Sequence, residues 1–581
     1  GLFMGRFDWG AIHPFPLQST EDRDQGDAFL ERLSTFLHEK VDPDEIDRTG
    51  EIPPDVIEEL ARMGAFGIKV PPAYGGLGLS QTNYCRAATL LGSWCANLAA
   101  LLSAHQSIGV PQPLILFGTE EQKRRYLPRV AKGEISAFAL TESSVGSDPA
   151  KMETHAEPTA DGSAFVLNGE KLWCTNGTKA GVIVVMARTP SMMVNGRPRN
   201  QITAFVVETG WPGVEIVHRC RFMGLKALYN AVIRFKDVRV PRENILLGEG
   251  KGLRVALVTL NTGRLTLPAA CAGLAKRCLD ISRRWASSRE QWGQPIGRHA
   301  AIADKLARMA TAIFAMESMA FAAASQVDRD KKADIRIEAA MAKMWGSEAA
   351  WEIINEAMQI RGGRGYETVE SLRARGEEPV PVERFLRDAR INTIFEGSSE
   401  IMRLFLAREA LDPHLKVAAP VLDSRLPLGK RIVPALQAGL LYAGWYLRLL
   451  LPTGPGPRVN PLLRPHLKYA RRTSRRLART LFHSMLRHGP KLERQQLLLG
   501  RLVEIGTELW LMSTSLSRAQ TLLDRGEAGD DLLTLVDCLC HQARTRIETG
   551  FLAHRRNADR CGYRLSRGLL GGRIKTVPDR A

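Results

Sequence analysis

The chain has 581 residues, 44% hydrophobic and 24% charged, which suits a globular protein of several domains and excludes a fibrous or disordered one. Its nine cysteines are scattered; with Cys538 and Cys540 the nearest pair and no Cys-x-x-Cys, they predict reduced thiols and exclude a disulfide framework or cysteine zinc site. Most of the net charge of +18 is at one end: residues 411–581 hold 29 Lys and Arg against 13 Asp and Glu, so any anionic surface is expected to meet that third.

Gly1-Leu2-Phe3 opens with no charged segment leading into an apolar run, so no secretory signal is expected. Without an initiator Met, a few upstream residues or a targeting piece are expected to have been trimmed. Residues 19–132 read as helices. Val56, Leu60 and Met63 recur at helical spacing with a stop near Gly64, and Thr119 before two acids is a predicted N-cap. Between residues 137 and 248 the period changes to that of strands. Phe165-Val166-Leu167-Asn168-Gly169-Glu170-Lys171-Leu172 predicts strand, Asn-Gly turn, strand. Val182–Met186, Ile202–Val207 and Ala231–Phe235 are further apolar runs of strand length. From residue 253 to 411 amphipathic helices return, with Met309, Met316, Met319, Met341 and Met344 read as core filling. The expected fold class is α+β, mainly helical, with domains at 1–136 (helical), 137–248 (sheet), 249–411 (helical bundle) and 412–581 (basic helical extension). No Gly-x-Gly-x-x-Gly follows a strand-like run, so a Rossmann nucleotide site is not expected. Gly362-Gly363-Arg364-Gly365 follows a helix and reads as its stop.

One carboxylate stands out. Glu396 lies between Ile394-Phe395 and Gly397, where apolar neighbours disfavour its charged form and raise its pKa towards that of a general base. Gly397 keeps the approach clear. Taken alone, the pair also reads as a surface Glu at a helix start.

The surrounding pattern narrows the choice. Gln359-x-x-Gly362-Gly363-x-Gly365-Tyr366, Pro381-Val382-Glu383-Arg384-x-x-Arg387-Asp388-x-Arg390-Ile391 and Ile394-Phe395-Glu396-Gly397-Ser398-Ser399-Glu400-Ile401 together resemble the acyl-CoA dehydrogenase family. The resemblance implies that Glu396 takes the α-proton of an acyl-CoA thioester. It also implies an FAD cofactor and the layout of helical domain, β domain and four-helix bundle. Residues 368–378 depart from the pattern and are expected to form a surface insertion.

Further segments carry the same resemblance. Phe138-Ala139-Leu140-Thr141-Glu142-Ser143-Ser144-Val145-Gly146-Ser147-Asp148 is similar to the family's flavin loop, which implies Thr141 at the ring and Ser147 at the phosphates and the CoA arm. Trp173-Cys174-Thr175-Asn176-Gly177 implies Trp173 packed on the flavin and the Thr175 hydroxyl at N5; alone, Trp173 also reads as a core residue. Arg289-Glu290-Gln291-Trp292-Gly293 implies Arg289, with Gln359, on the pyrophosphate held by a neighbouring subunit, Trp292 standing where the family has Phe. An Arg fork matches phosphate oxygens. Phe138, Leu140, Gly146, Cys174 and Gly363 belong to the same implied cofactor set, and Ser398, Ser399 and Glu400 to its adenine side. Asn261-Thr262-Gly263-Arg264 is similar to the family's Asn-x-Gly-Arg, implying Asn261, Arg264 and Gly397 at the acyl-CoA pocket; Arg264 equally reads as a helix-surface cation.

Leu2-Phe3-Met4-Gly5, Ser103-Ala104-His105-Gln106-Ser107-Ile108-Gly109 and the extension beyond residue 411 are most similar to the very-long-chain members. That implies long-chain fatty acyl-CoA as substrate, an electron-transfer flavoprotein as acceptor and a homodimer. Val110-Pro111-Gln112-Pro113 departs from the small residues expected there and is expected to narrow or reroute the acyl tunnel. An acyl-CoA oxidase and a non-catalytic assembly scaffold on the same fold are the alternatives.

Residues 429–452 are apolar and aromatic between cations, too interrupted for a span and suited to an interface. Lys468, Arg471, Arg472, Arg475, Arg476 and Arg479 recur on one broad helical face, which suits anionic lipid, plain solvent or nucleic acid. Peripheral membrane association is the expectation, with no nucleic acid and no metal. The expected place is the bacterial cytoplasm and inner-membrane surface, or the mitochondrion of a eukaryote after removal of a targeting segment.

Overall fold

Polar caps start the helices of the first third. The side chains of Ser19, Asp42, Ser80 and Thr119 accept backbone N–H bonds at the openings of helices Thr20–Lys40, Pro43–Thr49, Gln81–Trp94 and Glu120–Ala131, satisfying donors a helix start leaves free. Thr119 and Gln122 complete a capping box. Val56, Leu60 and Met63 are buried, as their spacing predicts. The computed structural model describes residues 1–194, 196–331, 333–422, 427–451, 456–574 and 576. They form two compact units, Pro16–Ile401 and Gly1–Phe15 with Met402–Ala581.

In the first unit an eight-stranded sheet follows the opening helices. Its order is Val214–Arg219, Ala231–Pro241, Ala164–Cys174, His155–Pro158, Val182–Val194, Arg197–Glu208 and Ile245–Leu246, with Ser136–Ala139 parallel to Val182–Val194. Val182 to Ala187 are wholly buried because both faces of this central strand are covered. The predicted Asn168-Gly169 turn does not form. Both residues lie inside the continuous strand Ala164–Cys174, where the ladder to Ala231–Pro241 shifts register between Leu167 and Gly169. Asn168 instead exchanges hydrogen bonds with Asp237 across the two strands, and the glycine serves a β-bulge with φ +139°.

Three long helices, Gly252–Ser288, Ala300–Arg329 and Arg336–Arg361, pack together, and Gln81–Trp94 joins them from the N-terminal block. Close approach requires Gly92 and Gly273, where a Cβ would fall 2.2 Å from the Ala270 carbonyl oxygen and 1.9 Å from that of Thr89. The five methionines read as core filling are all buried. Residues 368–378 are more than a surface insertion: they contain the helix Val369–Ala374, whose Val369 and Leu372 are buried. Glu377 pairs with Arg364 and Arg375 to hold the segment.

The second unit is helical, with the boundary expected at residues 411 and 412 falling inside the helix Ser399–Leu422. In the helix Leu428–Leu450 the aromatic side chains face inward. Tyr442 bonds His414 at 3.0 Å, Trp445 donates to the Met4 carbonyl at 3.1 Å, and both rings pack on Phe482. Much of the expected basic face of helix Arg464–His488 is engaged internally, because unsatisfied helix-end carbonyls draw its guanidinium groups. Arg475 bonds the Leu451 carbonyl, Arg479 that of Leu449 at 2.8 Å, and Arg476 pairs with Glu548 over the Phe551 ring. All nine cysteines are free thiols.

Candidate active site

Glu396 follows the 3-10 turn Arg390–Thr393 and has φ +54°, with Gly397 at φ +92°. A non-glycine residue in the left-handed region carries a backbone cost of roughly 1–3 kcal/mol, here accompanying a carboxylate aimed at the helix Gly252–Ser288. A Cβ on Gly263 of that helix would lie 2.6 Å from Glu396 Oε2, so only glycine leaves the carboxylate its seat. The residue is partly exposed, while Oε2 itself is buried and has no hydrogen-bond partner among the described residues. Burial holds the carboxyl above its ordinary range, against the opposing charges of Lys343 and then Arg264. Lys343, wholly buried, donates to the Gly397 carbonyl at 2.7 Å, and burial pushes its ammonium below the usual lysine range against the pull of Glu396. Arg264 is buried and donates to Asn261 Oδ1 at 3.1 Å. Asn261, Arg264, Glu396 and Gly397 thus converge, and the surface-cation reading of Arg264 is excluded by its burial.

A line of hydroxyls leads away from this seat. Thr266 donates to the Gly263 carbonyl at 3.2 Å, and Thr266, Ser107 and Tyr84 follow at 3.1 and 2.8 Å. Ser107 belongs to the His-Gln-Ser-Ile-Gly run, which forms the π turn Ala104–Ile108. Val110, Pro111, Gln112 and Pro113 beyond it are buried, with Pro111 opening a short helix. Gln112 and Gln81 accept from Lys69 Nζ at 3.1 and 2.7 Å.

The loop after Ser136–Ala139 and the end of strand Ala164–Cys174 are joined from beneath. Buried Lys171 donates to the Leu140 carbonyl at 3.1 Å and to Glu142 at 2.7 Å, Leu172 N–H donates to the Thr141 carbonyl, and Cys174 Sγ donates to the Phe138 carbonyl. Phe138, Leu140, Thr141, Trp173, Cys174 and Thr175 are thereby held side by side. Trp173 is no core residue: it is 58% exposed with φ +54°. Asn230 donates to Thr175 Oγ1 at 3.2 Å, leaving that hydroxyl's proton available. Gly146 and Ser147 are exposed, and a Cβ on Gly146 would meet nothing within 4 Å. An uncovered aromatic face, two hydroxyls and an open Gly-Ser loop fit a planar ring system carrying phosphates.

Arg289, Trp292, Gln359 and Gly363 lie on other elements. Arg289 ends the helix Gly252–Ser288 and Gln359 is near the end of Arg336–Arg361. Trp285 gathers this region, with the guanidinium groups of Arg289, Arg361 and Arg364 at 5.8, 4.5 and 5.3 Å from its ring. Trp292 is 94% exposed, far more than an internal packing residue would be. Ser398 accepts from Ile401 N–H at the start of the helix Ser399–Leu422, Ser399 is buried and Glu400 is exposed in the first turn. Lys343 and Gly263 are the site residues that reasoning from sequence missed. The signal for Lys343 was a lone cation inside Met341-Ala342-Lys343-Met344, and for Gly263 its place inside the Asn-x-Gly-Arg run.

Comparisons with known proteins agree along the chain. Residues 23–134, 137–238 and 250–411 match the N-terminal, middle and C-terminal domains of acyl-CoA dehydrogenase. The probable acyl-CoA dehydrogenase FadE10 of Mycobacterium tuberculosis is 47% identical over 577 residues, covering 98% of this chain and 88% of that protein. The human mitochondrial very long-chain specific acyl-CoA dehydrogenase is 36% identical over 564 residues, covering 95% and 83%. Among solved structures, an acyl-CoA dehydrogenase from Bacillus anthracis complexed with FAD matches with TM-score 0.77 at 28% identity, over 97% of this chain and 94% of that one. The chain belongs to the acyl-CoA dehydrogenase family of FAD enzymes.

Proposed function

We propose that the chain dehydrogenates long-chain fatty acyl-CoA to trans-2-enoyl-CoA, with Glu396 as the base that takes the α-proton. The observation that carries this reading is Glu396 Oε2, buried and without a hydrogen-bond partner among the described residues. A carboxylate oxygen with no donor to quiet it, in a desolvated seat, is a strong base towards a weak C–H acid. Lys343 and then Arg264 oppose the effect of burial and so favour the charged form that a base needs. The Glu396 backbone N–H serves the thioester oxygen, where charge develops as the proton leaves. FAD, when bound, supplies the acceptor for the β-hydride. Trp173 packs on its ring, Thr175 offers its hydroxyl proton to the ring edge, and Thr141, Gly146 and Ser147 hold the loop side. Arg289 and Gln359 reach the dinucleotide of a partner subunit in a homodimer, with Trp292 and Gly363 beside them. Electrons leave to an electron-transfer flavoprotein. The long-chain substrate is supported by relatives named very long-chain specific at 36% identity.

An anaerobic titration with acyl-CoAs of rising length, followed by flavin absorbance, tests the reading. Bleaching by long chains and not by short ones is expected; bleaching by short chains alone would remove the substrate assignment. Sedimentation at the mass of one chain would remove the dimer.

Peripheral membrane association is part of the same proposal, carried by the apolar segment 429–452 and not by the basic face of helix Arg464–His488. With several arginines of helix Arg464–His488 engaged internally, the contact surface is the outer face of helix Leu428–Leu450. There Ile432, Val433, Leu436, Leu440 and Leu447 are exposed near Lys430 and Arg448, an apolar face edged with cations that suits an anionic lipid surface.

A further inference from the structure

The helical extension carries a cluster of donor side chains that dehydrogenation does not use. Helix Asp530–Arg555 presents Asp537 and His541 four residues apart, hence on one face. His466, at the start of helix Arg464–His488, meets them. His466 Nε2 is 2.8 Å from Asp537 Oδ1, and His541 Nε2 is 3.7 Å from the same oxygen. The three donor atoms all lie within 4.8 Å of one another, and the two imidazoles meet edge to face, centroids 5.1 Å apart.

We propose that His466, Asp537 and His541 bind one divalent transition-metal cation of the Zn2+ type. Two imidazole nitrogens and a carboxylate oxygen are the borderline donor set that suits zinc over calcium or magnesium, which take oxygen. With bonds of about 2.0–2.2 Å, a tetrahedral centre separates its donor atoms by about 3.4 Å. The present spacing brackets that value, so small rotations of the Asp537 and His541 side chains close the set. The halves of the site divide the work. His466 is buried and fixed, while Asp537 is half-buried and His541 exposed, which gives an entry path and leaves room for water as the fourth ligand.

Two features set the affinity. His466 Nδ1 is buried without a partner among the described residues, so the ring lacks the outer hydrogen bond that typically strengthens a metal-bound histidine by about 10–100-fold. Arg544, stacked on Tyr469 at 4.7 Å, opposes a second positive charge near His466. Together they point to an exchangeable ion held more weakly than a permanent structural one. The competing account is a plain His466–Asp537 bond tying two helices, with His541 incidental.

Calorimetric titration of ZnCl2 into the tag-free, chelator-dialysed holoenzyme separates the two, with His541→Ala and Asp537→Asn alongside. His541 is on the surface, and Asn keeps the shape and hydrogen-bonding reach of Asp537, so both variants are expected to keep their flavin and turnover. The expected result is one Zn2+ per chain in the wild type, weakened by about tenfold or more in each variant, and a tetrahedral Co2+ absorption band that both variants lose. The proposal is overturned by a wild type with no saturable site, or by variants that bind with wild-type stoichiometry and affinity.

Discussion

The Glu396 carboxylate occupies the space that a side chain at Gly263 would take: a Cβ there would lie 2.6 Å from Oε2 and 3.0 Å from Cδ. The carboxylate is therefore positioned as much by what helix Gly252–Ser288 lacks as by what surrounds it. Gly263→Ala is expected to displace the carboxylate while leaving FAD bound. Since a misplacement of about 1 Å costs on the order of 10²-fold in rate, kcat/KM is expected to fall by roughly that factor. Steady-state kinetics at matched flavin content check this.

With Glu396 as the proposed base, Lys343 is expected to set where on the pH axis it works. Its charge holds the Glu396 carboxyl lower than burial alone would. Lys343→Met removes that charge, so the carboxyl rises further and stays protonated to a higher pH. The acid limb of the kcat/KM profile is expected to move to higher pH, with the loss of rate greatest on the acidic side. An unmoved limb would contradict the pairing.

How much of this was legible depended on whether the cause was local. Glu396 was singled out less by its immediate neighbours, which also suit a surface Glu, than by the longer pattern from Gln359 to Ile401 that resembles the family; Thr119 was readable because a cap and its Gln122 partner lie three residues apart. Asn168-Gly169 misled because the same pair serves a turn or a bulge, and the choice fell to Asp237 on the neighbouring strand. The arginines of helix Arg464–His488 showed their period, but not the carbonyls of Leu449 and Leu451 that claim two of them. Gly263 and Lys343 are far from Glu396 in sequence, and only the packing of three helices brings them to it.

A buried ion network tests the packing around the site. Asp388 accepts from Leu225 N–H at 2.7 Å and faces buried Arg384, which also bonds Asp44. Asp388→Ala leaves Arg384 short of a countercharge and the Leu225 N–H unpaired. A loss of about 3 kcal/mol or more in unfolding free energy is expected, measured by denaturant unfolding of the holoenzyme. A change within error would show that the network is not a stability element.

The membrane proposal rests on leucines that nothing in their own unit needs. Leu436 and Leu440 are 63% and 77% exposed, so Leu436→Asp with Leu440→Asp is expected to leave folding and turnover intact. A leucine side chain fully buried in lipid is worth roughly 1.5–3 kcal/mol, so cosedimentation of the double variant with anionic liposomes is expected to fall at least tenfold. Undiminished binding would place the lipid-facing surface elsewhere.

The most direct measurement is anaerobic stopped-flow reduction of the bound flavin by a long-chain acyl-CoA in wild type and Glu396→Gln, both at full FAD occupancy. Gln keeps the shape and removes the base. A loss of about 10²–10⁴-fold or more in the reduction rate, with acyl-CoA still bound, is the expected result. Reduction at near wild-type rate in Glu396→Gln would contradict the assignment of the base.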